Sequence, residues 1–62
     1  MRSIKEILMS RDGMSEQDAI DLINDAKEQF NIYIEEGDLT SAEDICSEYF
    51  GLEPDYLDEI MF

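Results

Sequence analysis

Apolar residues recur at intervals of three and four along most of this chain, and turn residues divide the recurrence into four segments. Ser3-Ile4-Lys5-Glu6 has the form of a capping box, in which hydroxyl and carboxylate satisfy free amides at a helix start, and Ile4, Ile7 and Leu8 then share one face. This short first helix is expected to end before Gly13. Ser15-Glu16-Gln17-Asp18 offers a second N-cap with acids in the first turn. Ala19, Leu22, Ile23, Ala26, Phe30, Tyr33 and Ile34 follow as the apolar stripe of a long second helix, and Gly37 suits the left-handed position beyond its end. A third helix is expected from about Thr40, where Thr40-Ser41-Ala42-Glu43 again reads as a capping box, through Ala42, Ile45, Cys46, Tyr49 and Phe50 to Gly51. Glu53-Pro54 starts a fourth, since Pro is favoured at the first helical position, and it carries Leu57, Ile60 and Met61. No segment alternates with period two. The pattern predicts an all-α fold, a small bundle of three to four short helices with the second the longest, in one acidic domain over residues 1–62.

Length and charge sharpen that picture. With 62 residues the core supplies only about 3–5 kcal/mol of net stability, so dimerisation is an open alternative. The chain has 17 acids against four bases and no His, a formal charge of -13, and from Glu28 onward it carries eleven Asp or Glu and no Lys or Arg. Such a field opposes compaction through self-repulsion. It also opposes direct contact with nucleic acid and with anionic lipid surfaces. The hydrophobic share of 44% is nevertheless that of a folded domain, not of a solvating acidic tail. The longest apolar run near the N-terminus, Ile7-Leu8-Met9, is far short of a signal-peptide core or a membrane span, and the cytoplasm is the expected location.

Helical geometry places the acids. At 100° per residue, Asp18, Asp21, Asp25 and Glu28 fall within an arc of roughly 80° on the second helix, away from its apolar stripe, with rungs about 4.5–6 Å apart along the axis. That spacing is of the order of successive phosphates on a nucleic-acid strand. Like charges three and four residues apart cost about 0.2–0.5 kcal/mol each, whereas interleaved Lys would reverse the sign. The chain leaves the repulsion uncorrected: Lys27 has no acid three or four positions away, and Glu35 and Glu36 sit at the helix C-terminus, where the dipole disfavours them. Asp44 and Glu48, then Asp55, Asp58 and Glu59, continue the pattern. Two readings stand beside each other here, a solvated face that keeps a small protein soluble and a surface that imitates nucleic acid or clamps a basic groove.

The stretch from Ala42 to Ile60 resembles a helix-turn-helix, in which a scaffold helix ends at Gly51 and a second helix begins soon after the apolar Leu52. The second helix departs from a DNA reader, because Asp55, Asp58 and Glu59 stand where Arg, Lys, Asn or Gln would meet base edges and phosphates, and the Ile45 to Gly51 interval is longer than the motif's by one residue. More broadly, the chain resembles the short acidic helical proteins encoded by phages and prophages, several of which end in a segment like Gly51-Leu52-Glu53-Pro54-Asp55-Tyr56-Leu57. That resemblance covers about the last two thirds and rests on a turn plus a helix start. It implies an inhibitor that binds and disables a host nucleic-acid enzyme, such as a restriction or CRISPR effector.

Catalytic chemistry has little to stand on. There is no His to serve as base, and Cys46, on the face of Ala42 and Tyr49, is expected in the core. Carboxylates are plentiful, but a domain this small has little cavity in which to desolvate one. Aligning Gly13 or Gly37 with the invariant glycine of an EF-hand loop puts Leu8 or Ile32 at the first ligand position, so that motif is missing and no cofactor or metal is expected. Phe30, Tyr33, Tyr49 and Phe50 fit helical stripes and are expected in the core. Tyr56, among acids, and the apolar end Met61-Phe62 are candidate interface anchors. The expected activity is therefore non-enzymatic binding of a basic host protein that itself handles nucleic acid. Its contact residues are Asp21, Asp25 and Glu28 on one face and Asp55, Tyr56, Asp58 and Glu59 on the other. The alternative is a homodimeric interaction module whose acidity serves solubility.

Overall fold

A computed structural model describes residues 2–61; Met1 and Phe62, the latter one of the candidate anchors, lie outside the described residues. The described residues form five helices, α1 (Ile4–Arg11), α2 (Glu16–Glu35), α3 (Leu39–Glu43), α4 (Ile45–Phe50) and α5 (Leu57–Met61), with a 3-10 turn, Pro54–Tyr56, running into α5. The fold is all-α, without strands among the described residues, and α2 is the longest element. Its twenty residues rise about 30 Å at 1.5 Å each, close to the 34 Å long axis of the whole molecule. Every other helix packs against it.

The caps explain where the helices begin and end. Ser3 Oγ accepts the Glu6 amide and Ser15 Oγ accepts the Asp18 amide, each at 3.2 Å, so both hydroxyls satisfy orphan donors as their sequence context implies. At the end of α2, Gly37 takes φ +77°. Its amide bonds Ile34 O at 3.1 Å and the Asp38 amide bonds Tyr33 O at 2.9 Å, which closes the last turn in a Schellman motif. Gly51 ends α4 at φ +65°.

Three expectations change. The third helix is capped by Asp38, not Thr40, because the Asp38 carboxylate accepts the Ser41 amide at 3.2 Å and the helix starts at Leu39. It is also two helices: the Asp44 amide is shared between Thr40 O and Ser41 O, both 3.2 Å, which tightens the turn and offsets α4 from α3. Ala42 in α3 and both Ile45 and Cys46 in α4 are thereby buried together. The fourth helix opens as a 3-10 turn at Pro54 before becoming α-helical at Leu57. A further difference is that Ile34 and Met61, assigned to apolar stripes, lie 44% and 51% exposed.

The core consists of Ile4, Leu8, Ala19, Ala26, Phe30, Ala42, Ile45, Cys46, Phe50 and Ile60, with Tyr33, Tyr49, Tyr56 and Leu57 half-buried against it. Phe30 and Phe50 are core residues as their spacing indicates, whereas Tyr33 and Tyr49 stand at its edge. Small residues on α2 let its neighbours approach closely. The exposed area of 4042 Å² is close to the roughly 4,100 Å² expected for a compact chain of 7.2 kDa.

Whether the first helix belongs to the bundle is not readable from its short pattern; the structure docks it firmly. Ile4 and Leu8 are fully buried. At its start the Ile4 amide donates to Glu59 Oε1 on α5 at 3.1 Å, and at its end Arg11 Nη2 donates to the Phe50 carbonyl of α4 at 2.6 Å. A carboxylate on a helix N-terminus and a cation on a helix C-terminus both suit the local dipole. Glu59→Ala is expected to lower stability by about 1 kcal/mol, the ordinary worth of a helix cap, and Glu59→Gln by less because it keeps the acceptor. Urea unfolding curves of the two variants measure this, and equal stability of Glu59→Ala and the parent would refute the docking role.

Candidate acidic interface and apolar groove

Asp18, Asp21, Asp25 and Glu28 are all exposed, on the side of α2 opposite its buried Ala19–Ala26–Phe30 line. Asp21 accepts a bond from Gln17 Nε2 one turn earlier at 2.9 Å; no base pairs with any of the four among the described residues. The described ion pairs join Lys5 to Glu16 at 3.7 Å and Arg11 to its neighbour Asp12 at 2.9 Å. The Asp12 hydrogen bond raises Arg11 above its ordinary pKa, and the same bond holds Asp12 below the usual carboxylate range. Arg2 bonds Ser10 Oγ at 2.6 Å. Three of the four bases are thus engaged at or beside α1, which leaves the α2 ladder and the whole C-terminal half without a counter-charge.

The second group of expected contact residues is divided by the fold. Asp55 and Asp58 are exposed, Tyr56 is half-buried against the core, and Glu59 is half-buried and committed to the start of α1. Glu59 is therefore a structural carboxylate here, a role that depends on a residue 55 positions away and leaves no local trace. One residue absent from the expected surface belongs on it: Ile32 is 39% exposed. Helical periodicity puts it within about 40° of Asp25 and Glu28, so the ladder ends in an apolar side chain.

A groove opens between the C-terminal half of α2, α3 and α5. Its volume is about 190 Å³, and it is lined by Phe30, Ile34, Leu39, Ala42, Leu57 and Met61, with Glu43 at its edge. Leu39 is the most exposed large apolar residue described, at 60%. The spacing of apolar residues by three and four makes Ile34 and Met61 look like core positions, which is why the groove is invisible until α3 and α5 are placed.

Cys46 lies in the core, and burial first, then the nearby Glu59 charge, push its thiol above the ordinary value. Burial and the Glu48 carboxylate, which the Tyr33 hydroxyl reaches at 3.3 Å, likewise raise the Tyr33 phenol. No three or more of the described His, Cys, Asp and Glu residues converge into a cluster able to hold a metal ion. No described helix is long and apolar enough to cross a membrane. No family model, no curated protein and no solved structure matches this chain.

Two outcomes follow from this geometry. Asp25→Lys converts its contacts with Asp21 and Glu28 from repulsive to attractive and is expected to raise stability by about 1 kcal/mol, read from thermal or urea unfolding; a destabilised variant would show that the ladder is not under strain. For Cys46, the folded state keeps its proton to a higher pH than the unfolded chain, so this contribution is intact below the ordinary thiol value of 9.0 and stability declines as pH rises past it. Thiol labelling of the native protein is expected to be about a hundredfold slower than in urea, the suppression set by ~3 kcal/mol of opening free energy. Equal labelling rates would overturn the core assignment.

Proposed function

We propose that this chain is a non-enzymatic, stoichiometric inhibitor that occupies a basic nucleic-acid-binding site on a host protein, in the manner of acidic phage-encoded proteins that disable restriction or CRISPR effectors. The observation that carries the reading is the exposed, uncompensated ladder Asp18–Asp21–Asp25–Glu28 on the outer face of α2. Stability alone favours Lys between these positions, so their uniform charge is a cost that a partner lined with Lys and Arg would offset. Long-range attraction speeds encounter and fixes orientation. Ile32 adds an uncharged contact at the end of the ladder, and Asp55 and Asp58 supply a second patch. The site of action is the host cytoplasm.

A second reading, two copies paired through apolar residues with the acids serving solubility, draws on the exposure of Ile34, Leu39 and Met61. Salt separates the two. Screening shortens the reach of charge to about 8 Å at physiological ionic strength and about 3 Å at 1 M, whereas apolar pairing survives it.

Immobilised protein is expected to retain a basic nuclease, helicase, polymerase or CRISPR effector from host lysate at low salt and release it at high salt, and to compete with DNA or RNA for that enzyme. Reversing Asp21, Asp25 and Glu28 to Lys is expected to abolish inhibition while the helical signal and unfolding midpoint are kept. Asp55→Lys with Asp58→Lys forms the parallel test, leaving Glu59 in place to hold α1. Unchanged inhibition by both sets would sink the reading.

A further inference from the structure

The apolar groove between α2, α3 and α5 is the feature that the acidic ladder does not absorb. Its 190 Å³ is below the ~300–1,000 Å³ typical of small-molecule sites, so it suits one or two side chains and not a cofactor. Phe30 and Ala42 form a buried floor, while Ile34, Leu39 and Met61 stand exposed on the lips. Three large apolar side chains gathered at a concavity are the usual mark of a contact surface. Methionine at one lip allows the rim to adapt to its occupant.

Charge decides what the occupant is. Glu43 stands at the groove edge, and Glu35, Glu36, Asp38 and Asp58, sequence neighbours of its lining residues, are exposed. From Glu28 to the end of the chain there is no Lys, Arg or His. A second copy would bring the same acids against these and add a further charge of -13, and an anionic membrane or nucleic acid is repelled for the same reason.

We propose that the groove takes the apolar side chains of a Lys/Arg-flanked amphipathic helix on a partner protein, a helix-in-groove contact in which the acids around it pair with the flanking cations. The inference rests on the reading above in one respect, that the partner is basic. It adds that a second face of the molecule reads apolar shape as well as charge, so partner choice depends on more than net charge.

The probe is a short amphipathic helical peptide of Leu, Lys and one Trp, with a scrambled control of identical composition and no apolar face. The protein itself has no Trp, so Trp fluorescence reports the peptide alone. The amphipathic peptide is expected to bind about tenfold or more tightly than the scramble, the gain from burying one apolar side chain. Leu39→Gln with Met61→Gln, both at exposed positions, is expected to erase that preference without changing the unfolding midpoint. Equal binding of the two peptides, or a preference unaffected by the double variant, would overturn the proposal. So would sedimentation showing that the parent dimerises through the groove and the double variant does not. The variant with Asp21, Asp25 and Glu28 reversed to Lys keeps the preference if the groove acts independently, so loss of inhibition there and loss of peptide preference in the groove variant report separate failures.

Discussion

Isolated helices shorter than about 12–15 residues do not persist in water, and α1, α3, α4 and α5 have eight, five, six and five residues. Each of them exists by packing on α2. The buried line of α2 is made of Ala19, Ala26 and Phe30, two small residues that admit close approach and one large one that fills the space so created. Ile4 and Leu8 from α1, Ile45, Cys46 and Phe50 from α4 and Ile60 from α5 converge on that line. The core is correspondingly small, and the polar ties of Glu59 to Ile4 and of Arg11 to Phe50 carry weight that a larger domain would leave to burial.

That economy explains how the charge is arranged. Two acids of the C-terminal half are turned to structural use, Glu59 at the start of α1 and Asp38 as the cap of α3, and three of the four bases are engaged at or beside α1. Apart from Asp12 and Glu16, which pair with Arg11 and Lys5, no acid among the described residues has a counter-charge within ion-pair distance. A sequence optimised only to stay folded would distribute Lys along α2. Retaining repulsion on a fold with so little core is coherent when the field itself is what a partner meets, and the ladder and the groove then divide the work between attraction at a distance and fit at contact.

Local chemistry made much of this legible. Ser3, Ser15 and Gly37 mark helix ends through interactions spanning a few residues, and the rotation of α2 follows from its period, which places Asp21, Asp25 and Glu28 outside and Phe30 inside. What was not legible depends on competition or on distance. Asp38 and Thr40 are both competent caps two residues apart, and the Asp38 carboxylate is the one that takes the free Ser41 amide. The break at Asp44 reflects the need to bury Ala42 together with Ile45 and Cys46. Ile34 and Met61 follow apolar periodicity yet reach the surface, because α2, α3 and α5 leave a groove between them that both residues line. Glu59 meets Ile4 across 55 positions, a pairing that no local pattern encodes.

That same contact gives the chain an unusual topology for its size. Residues 4 and 59 touch, so the path is nearly a ring, with α2 as its longest arc. The start of α1 lies against α5, whose residue Met61 lines the groove. Anything appended to either end is therefore held near one face at high effective concentration. A fused domain is not a neutral handle here, but a neighbour that shields the groove or is drawn into it.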